Sequence, residues 1–336
     1  MKIVGVLTQY SKLDRPFTYY YEGDDIFVGG RVLIGFRNRD IVGYVVSVEA
    51  TNLALAEAEQ KLGFKLTKID KILDQEPLLT TELMALSDIV TSYYLTSKIS
   101  VLNAMLPPSL RPSKSSLNAP KIAKQIVVKF NPLFEDFSIL KDHDRLLLNE
   151  IIVRGNIVRT SKNKNQIARL LANQAITIEE QEKYRLKYDH FPLEKPNTLT
   201  VKQQEAINKI LEDHHETFLL HGVTGSGKTE VYLSLAAHYL KQKKQVLILV
   251  PEISLTGMML ASFYRRFGSK IAILHSDLTP AEKYDEYRKI SKGDVDIVVG
   301  ARSAIFAPLQ NLGLIVIDEE HSESYKQDIA PFYHAL

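Results

Sequence analysis

Residues 222–229 read Gly-Val-Thr-Gly-Ser-Gly-Lys-Thr, and this stretch decides the fold of the chain. It matches the pattern G-x-x-x-x-G-K-[ST] at every fixed position. The apolar segment 218–220 before it is typical of a buried strand, and residues 230–237 after it are rich in helix formers. The stretch therefore predicts a phosphate-binding loop between a strand and a helix, where backbone N–H groups can surround a phosphate.

The polar residues of this loop have expected roles toward ATP. Lys228 is expected to contact the β- and γ-phosphates, which makes it the first catalytic candidate. The hydroxyl of Thr229 is expected to bind Mg²⁺. The other candidate nucleotide-binding residues belong to the loop itself: Gly222, Thr224, Gly225, Ser226 and Gly227. A glycine-rich turn without a ligand is the alternative interpretation of the pattern.

A second motif, at 314–321, reads Leu-Ile-Val-Ile-Asp-Glu-Glu-His. An apolar strand that ends in acids places carboxylates at the C-terminal edge of a parallel sheet, beside a phosphate loop. Asp318 is therefore a candidate to hold Mg²⁺, and Glu319 a candidate to orient or deprotonate the attacking water. For the acids the alternative is a cap on a following helix. His321 is a further catalytic candidate, with a structural role as its alternative.

Both motifs belong to a region with alternating strands and helices. Short β-rich apolar runs occur at 246–250, 271–274, 297–299 and 314–317. The segments between them are long enough for crossover helices. This alternation predicts an α/β unit with a parallel sheet covered on both faces.

The first 106 residues have a different pattern. Runs at 2–7, 17–21, 30–36 and 41–48 are rich in β-branched and aromatic residues, with turns at 22–25 and 37–40. They predict a small β-barrel or a curled sheet. Residues 50–63 predict a loop or a loose helix, and residues 80–97 have apolar positions at helical spacing, with Thr80 or Thr81 as a cap.

A Pro- and Ser-rich stretch at 107–116 predicts a linker, and a second linker is predicted at 189–196. Between them, residues 144–151 and 163–173 predict short amphipathic helices, and a third short element follows at 176–182. Three short helices with adjoining strands indicate a winged-helix or related unit. From Arg145 to Arg169 there are six Lys or Arg residues against one acid, Glu150. A solvated face is the alternative to a DNA contact.

Composition excludes several classes of protein. The 336 residues include no cysteine, so disulfides and thiolate metal sites are excluded. No apolar run approaches the ~20 residues needed to span a bilayer, and the first residues turn polar too soon for a signal peptide. These features predict a cytoplasmic protein that does not contact membranes. The net charge of +2 does not indicate nucleic-acid binding by itself.

Several motifs together resemble one known family. In chain order they are GVTGSGKTEVY at 222–232, VPEISLT at 250–256, His-Ser at 275–276, GARSAIFAP at 300–308, DEEH at 318–321 and SYKQ at 324–327. This set is similar to the first helicase lobe of the bacterial replication-restart helicases, the family of primosomal protein N-prime (PriA) in superfamily 2. The resemblance covers about residues 199–336; upstream it rests on domain order.

The resemblance implies a multidomain chain with three parts. A β-rich domain that binds the 3′ end of DNA is expected at 1–106, a winged-helix-like domain with its linkers at 107–196, and the first RecA-like lobe at 197–336. Relatives are about twice as long. They continue into a second lobe with an arginine finger, a zinc module and a carboxyl-terminal domain. Zinc is expected only in that further part.

The same resemblance assigns roles in the lobe. Gln203 is expected to contact the adenine. The expected path of single-stranded DNA is lined by Pro251, Ser254, Thr256, Arg302 and Ser303. His321 is expected to link the nucleotide to that path. An aromatic-rich segment from Tyr325 to Tyr333, with Lys326, is expected to couple DNA contact to hydrolysis; core packing of its aromatic rings is the alternative.

In the β-rich domain, the resemblance implies a pocket for the 3′ end of a nascent strand, formed by Phe17, Thr18 and Tyr19. Thr18 stands where the family has an acid. Arg37 stands where a glycine is common. Lys65 or Lys68 is expected to attract phosphate.

The implied function is an ATP-dependent 3′→5′ DNA helicase of replication restart, which binds branched DNA at stalled forks and initiates primosome assembly. The implied partners are branched and single-stranded DNA, single-stranded DNA-binding protein and other primosome proteins. This chain by itself is expected to bind DNA and nucleotide without unwinding duplexes. The alternatives are a double-strand DNA translocase ATPase and a non-catalytic DNA-structure-binding module.

Overall fold

The computed structural model describes residues 1–11, 15–112, 120–186, 192–213, 217–223, 225–254 and 257–336, with only the backbone at 257 and 258. The chain divides into two compact units: residues 1–120 together with 188–336, and residues 121–187. No helix in these described ranges is long and apolar enough to cross a bilayer.

Five amino-terminal strands form a closed barrel. They are β1 (Lys2–Leu7), β2 (Phe17–Tyr21), β3 (Arg31–Phe36), β4 (Arg39–Ala50) and β5 (Thr67–Ile72). Their order around the barrel is β1-β2-β5-β3-β4. Val6 and Ile34 are fully buried inside it, because alternate residues of each strand face the core. The four predicted strands and the barrel form are confirmed; β5, which closes the barrel, is an addition.

Three helices complete this domain: α1 (Leu55–Leu62), α2 (Thr81–Tyr94) and α3 (Lys98–Met105). The hydroxyl of Thr80 caps α2 by accepting a hydrogen bond from the Leu83 N–H at 3.2 Å. The prediction of one helix over 80–97 is wrong at its end. Leu95 has φ +48° and terminates α2, so a second helix starts at Lys98.

The unit at 121–187 holds three antiparallel strands and two helices. They are β6 (Lys124–Phe130), α4 (Asp142–Arg154), β7 (Asn156–Val158), α5 (Lys164–Ala172) and β8 (Ile176–Glu182), with sheet order β7-β6-β8. The two predicted helices are α4 and α5. The third predicted helix is wrong, because Ile176 to Glu182 pairs along its length with β6 and is a strand.

The lobe contains α6 (Val201–Glu212), α7 (Lys228–Lys241), β9 (Gln245–Leu249), α8 (Gly257–Phe267), β10 (Ile271–Leu274), α9 (Pro280–Ser291), β11 (Ile297–Gly300) and β12 (Leu312–Ile317). The strands form a parallel sheet in the order β10-β11-β9-β12. Ile248, Ile271 and Val299 are fully buried between the sheet and its helices. The predicted α/β lobe with a parallel sheet is confirmed.

The strand predicted at 218–220 does not form. Its residues have no strand assignment, and Leu219 is 76% exposed. Leu220 packs against the apolar cluster that includes Leu314, but the segment joins no ladder. Because the segment is exposed at Leu219, water can form the backbone hydrogen bonds there that a neighbouring strand would otherwise form.

One apolar cluster joins the barrel domain to the lobe. It contains Val101 and Leu102 of α3 together with Tyr287 and Phe306 of the lobe. The hydroxyl of Tyr287 donates a hydrogen bond to the carbonyl of Leu78. The two regions therefore share a core rather than meeting only through a linker.

The predicted linker at 107–116 begins inside this shared core. Leu110 is 1% exposed, and its carbonyl accepts a hydrogen bond from Arg31 Nη1 at 3.3 Å. Arg111 Nε donates to the Leu106 carbonyl at 2.9 Å. Residues 107–112 are therefore packed, against the prediction, while 113–119 lie outside the described residues. In the second predicted linker, the described residue Glu194 donates its N–H to the Arg265 carbonyl.

Candidate nucleotide site and nucleic-acid interface

The predicted phosphate loop leads directly into helix α7, whose N-terminus points at the loop. Gly225 and Gly227 have φ values of +80° and +81°, a region that residues with a Cβ enter only at a cost. The Lys228 ammonium donates a hydrogen bond to the Gly222 carbonyl at 2.7 Å. The lysine charge thus lies within the loop. Thr224 lies outside the described residues.

Gln203 on α6 braces this loop. Its Nε2 donates to the Gly227 carbonyl at 3.2 Å, and its Oε1 accepts from the Thr200 N–H at 2.9 Å. A Cβ on Gly227 would come within 2.3 Å of the Gln203 amide nitrogen. The side chain therefore links the helix cap to the loop, and its contact with adenine stays a prediction.

Asp318 follows β12 and is fixed by three partners. Its N–H donates to the Leu249 carbonyl of β9 at 2.9 Å. Its carboxylate Oδ1 accepts from the Tyr232 hydroxyl at 3.1 Å. Its carbonyl accepts from the Tyr325 hydroxyl at 2.6 Å. Because Tyr232 lies on the helix that starts at Lys228, the helix that follows the phosphate loop contacts the acidic motif. That both motifs hold one nucleotide stays a prediction.

The two other catalytic candidates lie in different surroundings. Glu319 has φ +47°, an uncommon value for a residue with a side chain, and such strain is often found at functional sites. Its carboxylate accepts a hydrogen bond from the Ser254 hydroxyl at 3.4 Å. His321 is 78% exposed in its side chain and lies 3.7 Å from the carboxylate of Glu320. The structure thus brings Ser254 to the acidic motif, whereas His321 is largely exposed and its linking role stays a prediction.

The residues present fit a nucleoside triphosphate with Mg²⁺. Gly225 has a positive φ and open space where a Cβ would stand, which suits backbone that passes close to a phosphate. No cluster of three or more His, Asp or Glu side chains forms a complete metal site in the described part of the chain. A cavity of about 330 Å³ lies beside Gly227 and Thr229, and Asn197, Glu230 and Arg266 also line it.

The aromatic-rich segment is bound to the lobe and to the barrel domain. Arg302 Nη1 donates to the Ser324 carbonyl at 3.2 Å and to the Lys326 carbonyl. The Lys326 ammonium lies 4.8 Å from the ring centre of Tyr94 on α2. The Tyr94 hydroxyl accepts from the His334 N–H at 3.0 Å. The segment therefore spans from the acidic motif to the amino-terminal helices.

The aromatic side chains of this segment differ in exposure. Tyr325 and Tyr333 are 0% and 2% exposed, so the alternative of core packing describes them in this structure. Phe332 is 46% exposed and has φ +57°. Of the expected DNA path, Pro251 is buried, Ser303 is exposed, and Thr256 lies outside the described residues. A direct contact of Tyr325 with DNA stays a prediction that requires its segment to move.

An aromatic cluster lies where β3 turns into β4. The Phe36 ring stacks on Tyr10 with centroids 5.3 Å apart and contacts Phe17 at 5.0 Å. The Arg37 guanidinium lies 5.5 Å from the Phe36 ring centre. Arg37 and Asn38 have φ values of +49° and +62°, which suits the two-residue turn of a tight hairpin. This backbone explains physically why a glycine would be favoured at position 37.

The remaining pocket candidates surround this cluster. The Tyr19 hydroxyl donates to the Gly35 carbonyl at 3.2 Å, and burial, then the Asp70 carboxylate, raise the pKa of Tyr19. Thr18 is half-buried and Lys65 is exposed. Lys68 forms an exposed ion pair with Glu22, which raises the pKa of Lys68. Asp70 on strand β5 is thus a carboxylate close to the Tyr19 hydroxyl of this candidate pocket.

Sequence reasoning missed four residues of these sites: Tyr10, Phe36, Tyr94 and Tyr232. Tyr232 could have been found from the sequence, because its position one helical turn after Lys228 places both residues on one face of α7. Tyr10, Phe36 and Tyr94 become visible only through contacts with residues distant in sequence.

Two family models match the chain in succession. The model of the 3'DNA-binding domain (3'BD) of PriA matches residues 5–107, and the model of the DEAD/DEAH box helicase matches residues 200–334. The first range holds the barrel with its aromatic cluster, and the second holds the phosphate loop and the acidic motif.

Curated relatives agree with this order. The replication restart protein PriA of Bacillus subtilis is 36% identical over 99% of this chain and 50% of its own length. The replication restart protein PriA of Chlamydia pneumoniae is 31% identical over 93% of this chain and 42% of its own length. That of Synechocystis is 48% identical over 48% of this chain. The chain spans about half the length of the relatives that match it throughout. With both domains in order and identity along nearly its whole length, the chain belongs to the PriA family of replication restart proteins.

Proposed function

We propose that this chain binds single-stranded 3′ ends at branched DNA with its barrel domain and binds ATP with Mg²⁺ in its lobe, as part of a 3′→5′ helicase that restarts stalled replication. The observation that carries this proposal is the shared core: Val101 and Leu102 of α3 pack in one cluster with Tyr287 and Phe306 of the lobe. A strand end held by the barrel domain would thereby lie on the same compact unit as the nucleotide site.

In the lobe, Lys228 would hold the β- and γ-phosphates, and Thr229 with Asp318 would hold Mg²⁺. Glu319 would orient or deprotonate the attacking water. The bound nucleotide supplies the free energy of its hydrolysis for movement along DNA. We infer that the cavity lined by Asn197, Glu230 and Arg266 receives the nucleoside, because about 330 Å³ is in the size range of small-molecule sites.

On the DNA side, the exposed ring of Tyr10 and the ring of Phe36 offer faces on which an unpaired base can stack. Lys65 and Lys68 would attract the phosphates. In the lobe the strand would follow the path predicted for Pro251, Ser254, Thr256, Arg302 and Ser303, with Lys326 beside it. His321 would respond to the strand from the exposed end of the acidic motif.

The unit at 121–187 would act as a winged-helix-like DNA contact, placed in the sequence between the barrel domain and the lobe. Part of its basic run is neutralised, since Arg145, Arg154 and Arg169 pair with Asp142, Glu150 and Asp144. Arg159, Lys162 and Lys164 are then the basic residues proposed to face DNA. Single-stranded DNA-binding protein and primosome proteins are proposed partners, in the cytoplasm.

Duplex unwinding is not expected from this chain alone. A helicase site of this kind is completed by an arginine finger from a second lobe, and such a finger is worth roughly 10³–10⁵ in rate. We therefore expect nucleotide binding and DNA binding without robust DNA-stimulated ATP turnover. Fast DNA-stimulated turnover by the purified chain would contradict this part of the proposal.

A gel shift on forked DNA tests the proposal. The substrates are forks that differ only in the 3′ terminus at the junction, a hydroxyl or a phosphate, with a blunt duplex as control. We expect tightest binding to the 3′-hydroxyl fork and weaker binding as salt rises. Equal affinity for fork and blunt duplex would favour the double-strand translocase.

Lys228→Ala separates the enzyme from a non-catalytic DNA-binding module. Removal of the ammonium should abolish binding of a fluorescent ATP analogue while fork affinity stays unchanged, because the barrel domain carries the strand end. If the unaltered chain binds forks selectively but binds no nucleotide at any Mg²⁺ concentration, the non-catalytic module is the better description.

A further inference from the structure

The Tyr232 side chain lies between the two motifs of the nucleotide site. It comes one helical turn after Lys228 on α7, so both side chains lie along one face of that helix. The ring is 7% exposed and belongs to the apolar core cluster of the sheet. Its hydroxyl reaches out of this core to Asp318 Oδ1 at 3.1 Å. Because the ring is held in the core, the position of the hydroxyl that contacts Asp318 is fixed as well.

The direction of this hydrogen bond is settled by chemistry. A carboxylate only accepts hydrogen bonds, so the tyrosine hydroxyl donates. A tyrosine hydroxyl carries its proton at neutral pH, so Tyr232 has a proton to donate. The bond occupies Oδ1 and leaves Oδ2 as an acceptor for another ligand.

The main chain of Asp318 is held independently of its carboxylate. The Asp318 N–H is bonded to Leu249 of β9, and its carbonyl accepts from Tyr325, which is fully buried. With the backbone fixed on both sides, the carboxylate orientation is the remaining freedom of this residue. The Tyr232 hydroxyl removes that freedom.

We propose that Tyr232 is a positioning residue that orients the Asp318 carboxylate for Mg²⁺. This inference rests on the proposed function, because it takes Asp318 as the metal-holding acid. Carboxylates that bind metals are in turn hydrogen-bonded by neighbouring groups, and loss of such a partner typically costs about 10–100-fold in metal affinity. Tyr232 would be that partner here, supplied by the same helix that carries the phosphate-binding lysine.

The test is Tyr232→Phe, which keeps the buried ring and removes only the hydroxyl. Binding of a fluorescent ADP analogue is measured across a Mg²⁺ titration and again in EDTA. We expect Tyr232→Phe to raise the half-saturating Mg²⁺ concentration about 10-fold, while the metal-free affinity for nucleotide stays unchanged because Lys228 is intact. A purely structural role of the hydroxyl would change both affinities together.

Tyr239→Phe is the matched control. Tyr239 lies on the same helix and packs against the same core cluster, and its hydroxyl has no hydrogen-bond partner among the described residues. This variant should titrate with Mg²⁺ as the unaltered chain does. Thermal unfolding of all variants, followed by circular dichroism, checks that they are folded.

A double-mutant cycle with Asp318→Asn gives a second readout. Once the carboxylate is gone, removal of the Tyr232 hydroxyl should cause no further Mg²⁺-specific loss, since the two effects share one interaction. Additive losses, or a Mg²⁺ titration of Tyr232→Phe equal to that of the unaltered chain, would overturn the inference while the proposed function stands. If the unaltered chain binds no nucleotide, both fall.

Discussion

Arg31 is a charged residue placed in the interior of the barrel domain. Its side chain is 1% exposed, and that of its partner Asp74 is 8% exposed. The guanidinium donates from Nη2 to Oδ1 at 2.6 Å and from Nε to Oδ2 at 3.0 Å, a bidentate pair. Nη1 donates to the Leu110 carbonyl in the packed segment before residue 113. The pair thus anchors the end of the domain to its barrel.

Asp74→Ala should destabilise the fold strongly. The substitution leaves the Arg31 charge buried with no carboxylate, and breaking a buried pair in this way costs about 3–5 kcal/mol. Urea unfolding followed by circular dichroism measures the loss. Glu22→Ala, which breaks the exposed pair with Lys68, is the control and should change stability little. A loss for Asp74→Ala no larger than for the control would show that the buried pair does not stabilise the domain.

Phe36→Ala should weaken binding of a 3′-terminated single strand. The ring is the centre of the aromatic cluster with Tyr10 and Phe17. Stacking of a base on an aromatic side chain contributes about 1–3 kcal/mol, so an affinity loss of roughly 5- to 150-fold is expected. Fluorescence anisotropy with a labelled oligonucleotide measures it. The control is Phe137→Ala, which removes an aromatic ring from the unit at 121–187. An equal loss of oligonucleotide affinity in both variants would contradict stacking of a base on Phe36 of the barrel domain.

At the scale of single residues, the phosphate loop and the acidic motif were predictable from the sequence, because the residues of each motif are contiguous. The burial of Tyr325 was not predictable in this way. Its hydroxyl bonds to the Asp318 carbonyl only because a turn after β12 brings the chain back onto the sheet. A string of letters does not distinguish an aromatic ring that stacks on DNA from one that packs inside.

At the scale of elements, helices α4 and α5 are joined by a side-chain pair. Asp144 is 2% exposed, and Arg169 donates to it from Nε at 2.9 Å and from Nη2 at 2.7 Å. These hydrogen bonds hold the pKa of the Asp144 carboxyl below its usual value. The pair therefore ties the first turn of α4 to α5.

The contribution of this pair should depend on pH. The folded-state pKa of Asp144 lies below its unfolded value of about 3.9. The pair therefore stabilises the unit fully above that value, and its contribution is lost as pH falls through the lower folded pKa. We expect Asp144→Asn to lower the thermal unfolding midpoint at pH 5, where the Asp144 carboxyl is charged, and to lower it by less below pH 3.

Asp142→Asn is the control for this pH dependence, because the Asp142 side chain is fully exposed and 3.7 Å from Arg145. It should have little effect at any pH. An effect of Asp144→Asn that stays constant down to the lowest pH would mean that the carboxylate charge does not stabilise the unit.

Elements were predicted well where one strand or helix carries its own pattern, and poorly where pairing decides. Strands β1 and β2 have the predicted bounds. Strand β5, with charged residues such as Lys68 and Asp70 at exposed positions, lacks an apolar run and forms because β2 and β3 leave a gap in the barrel. The apolar run at 218–220 shows the converse, since it looks like a strand and joins no sheet.

At the scale of the whole molecule, we expect the barrel domain and the lobe to unfold together, because they share one apolar core. Phe306→Ala should therefore destabilise both. Removal of this buried ring, which contacts Tyr333 at a centroid distance of 4.8 Å, costs about 3–5 kcal/mol. The measurement is hydrogen exchange: in the Phe306→Ala variant, the exchange rate should rise in α3 of the barrel domain as much as in the lobe.

Phe263→Ala removes a fully buried ring from the lobe's own sheet core and is the comparison. In the Phe263→Ala variant, the rate of hydrogen exchange should rise more in α8 and the sheet than in α3. If α3 keeps its protection in Phe306→Ala, the two regions unfold independently, and the shared cluster does not couple them.

By itself, the sequence determined the phosphate loop, the acidic motif, the alternation of strands and helices in the lobe and most strands of the barrel. These features depend on contiguous residues, whose spacing is set by backbone geometry. Only the tertiary structure decided that Tyr232 holds Asp318, that Phe36 stacks on Tyr10, and that Tyr287 ties the lobe to Leu78. Those contacts join residues far apart in the chain, so they exist only once burial of a common apolar core has fixed where each element lies.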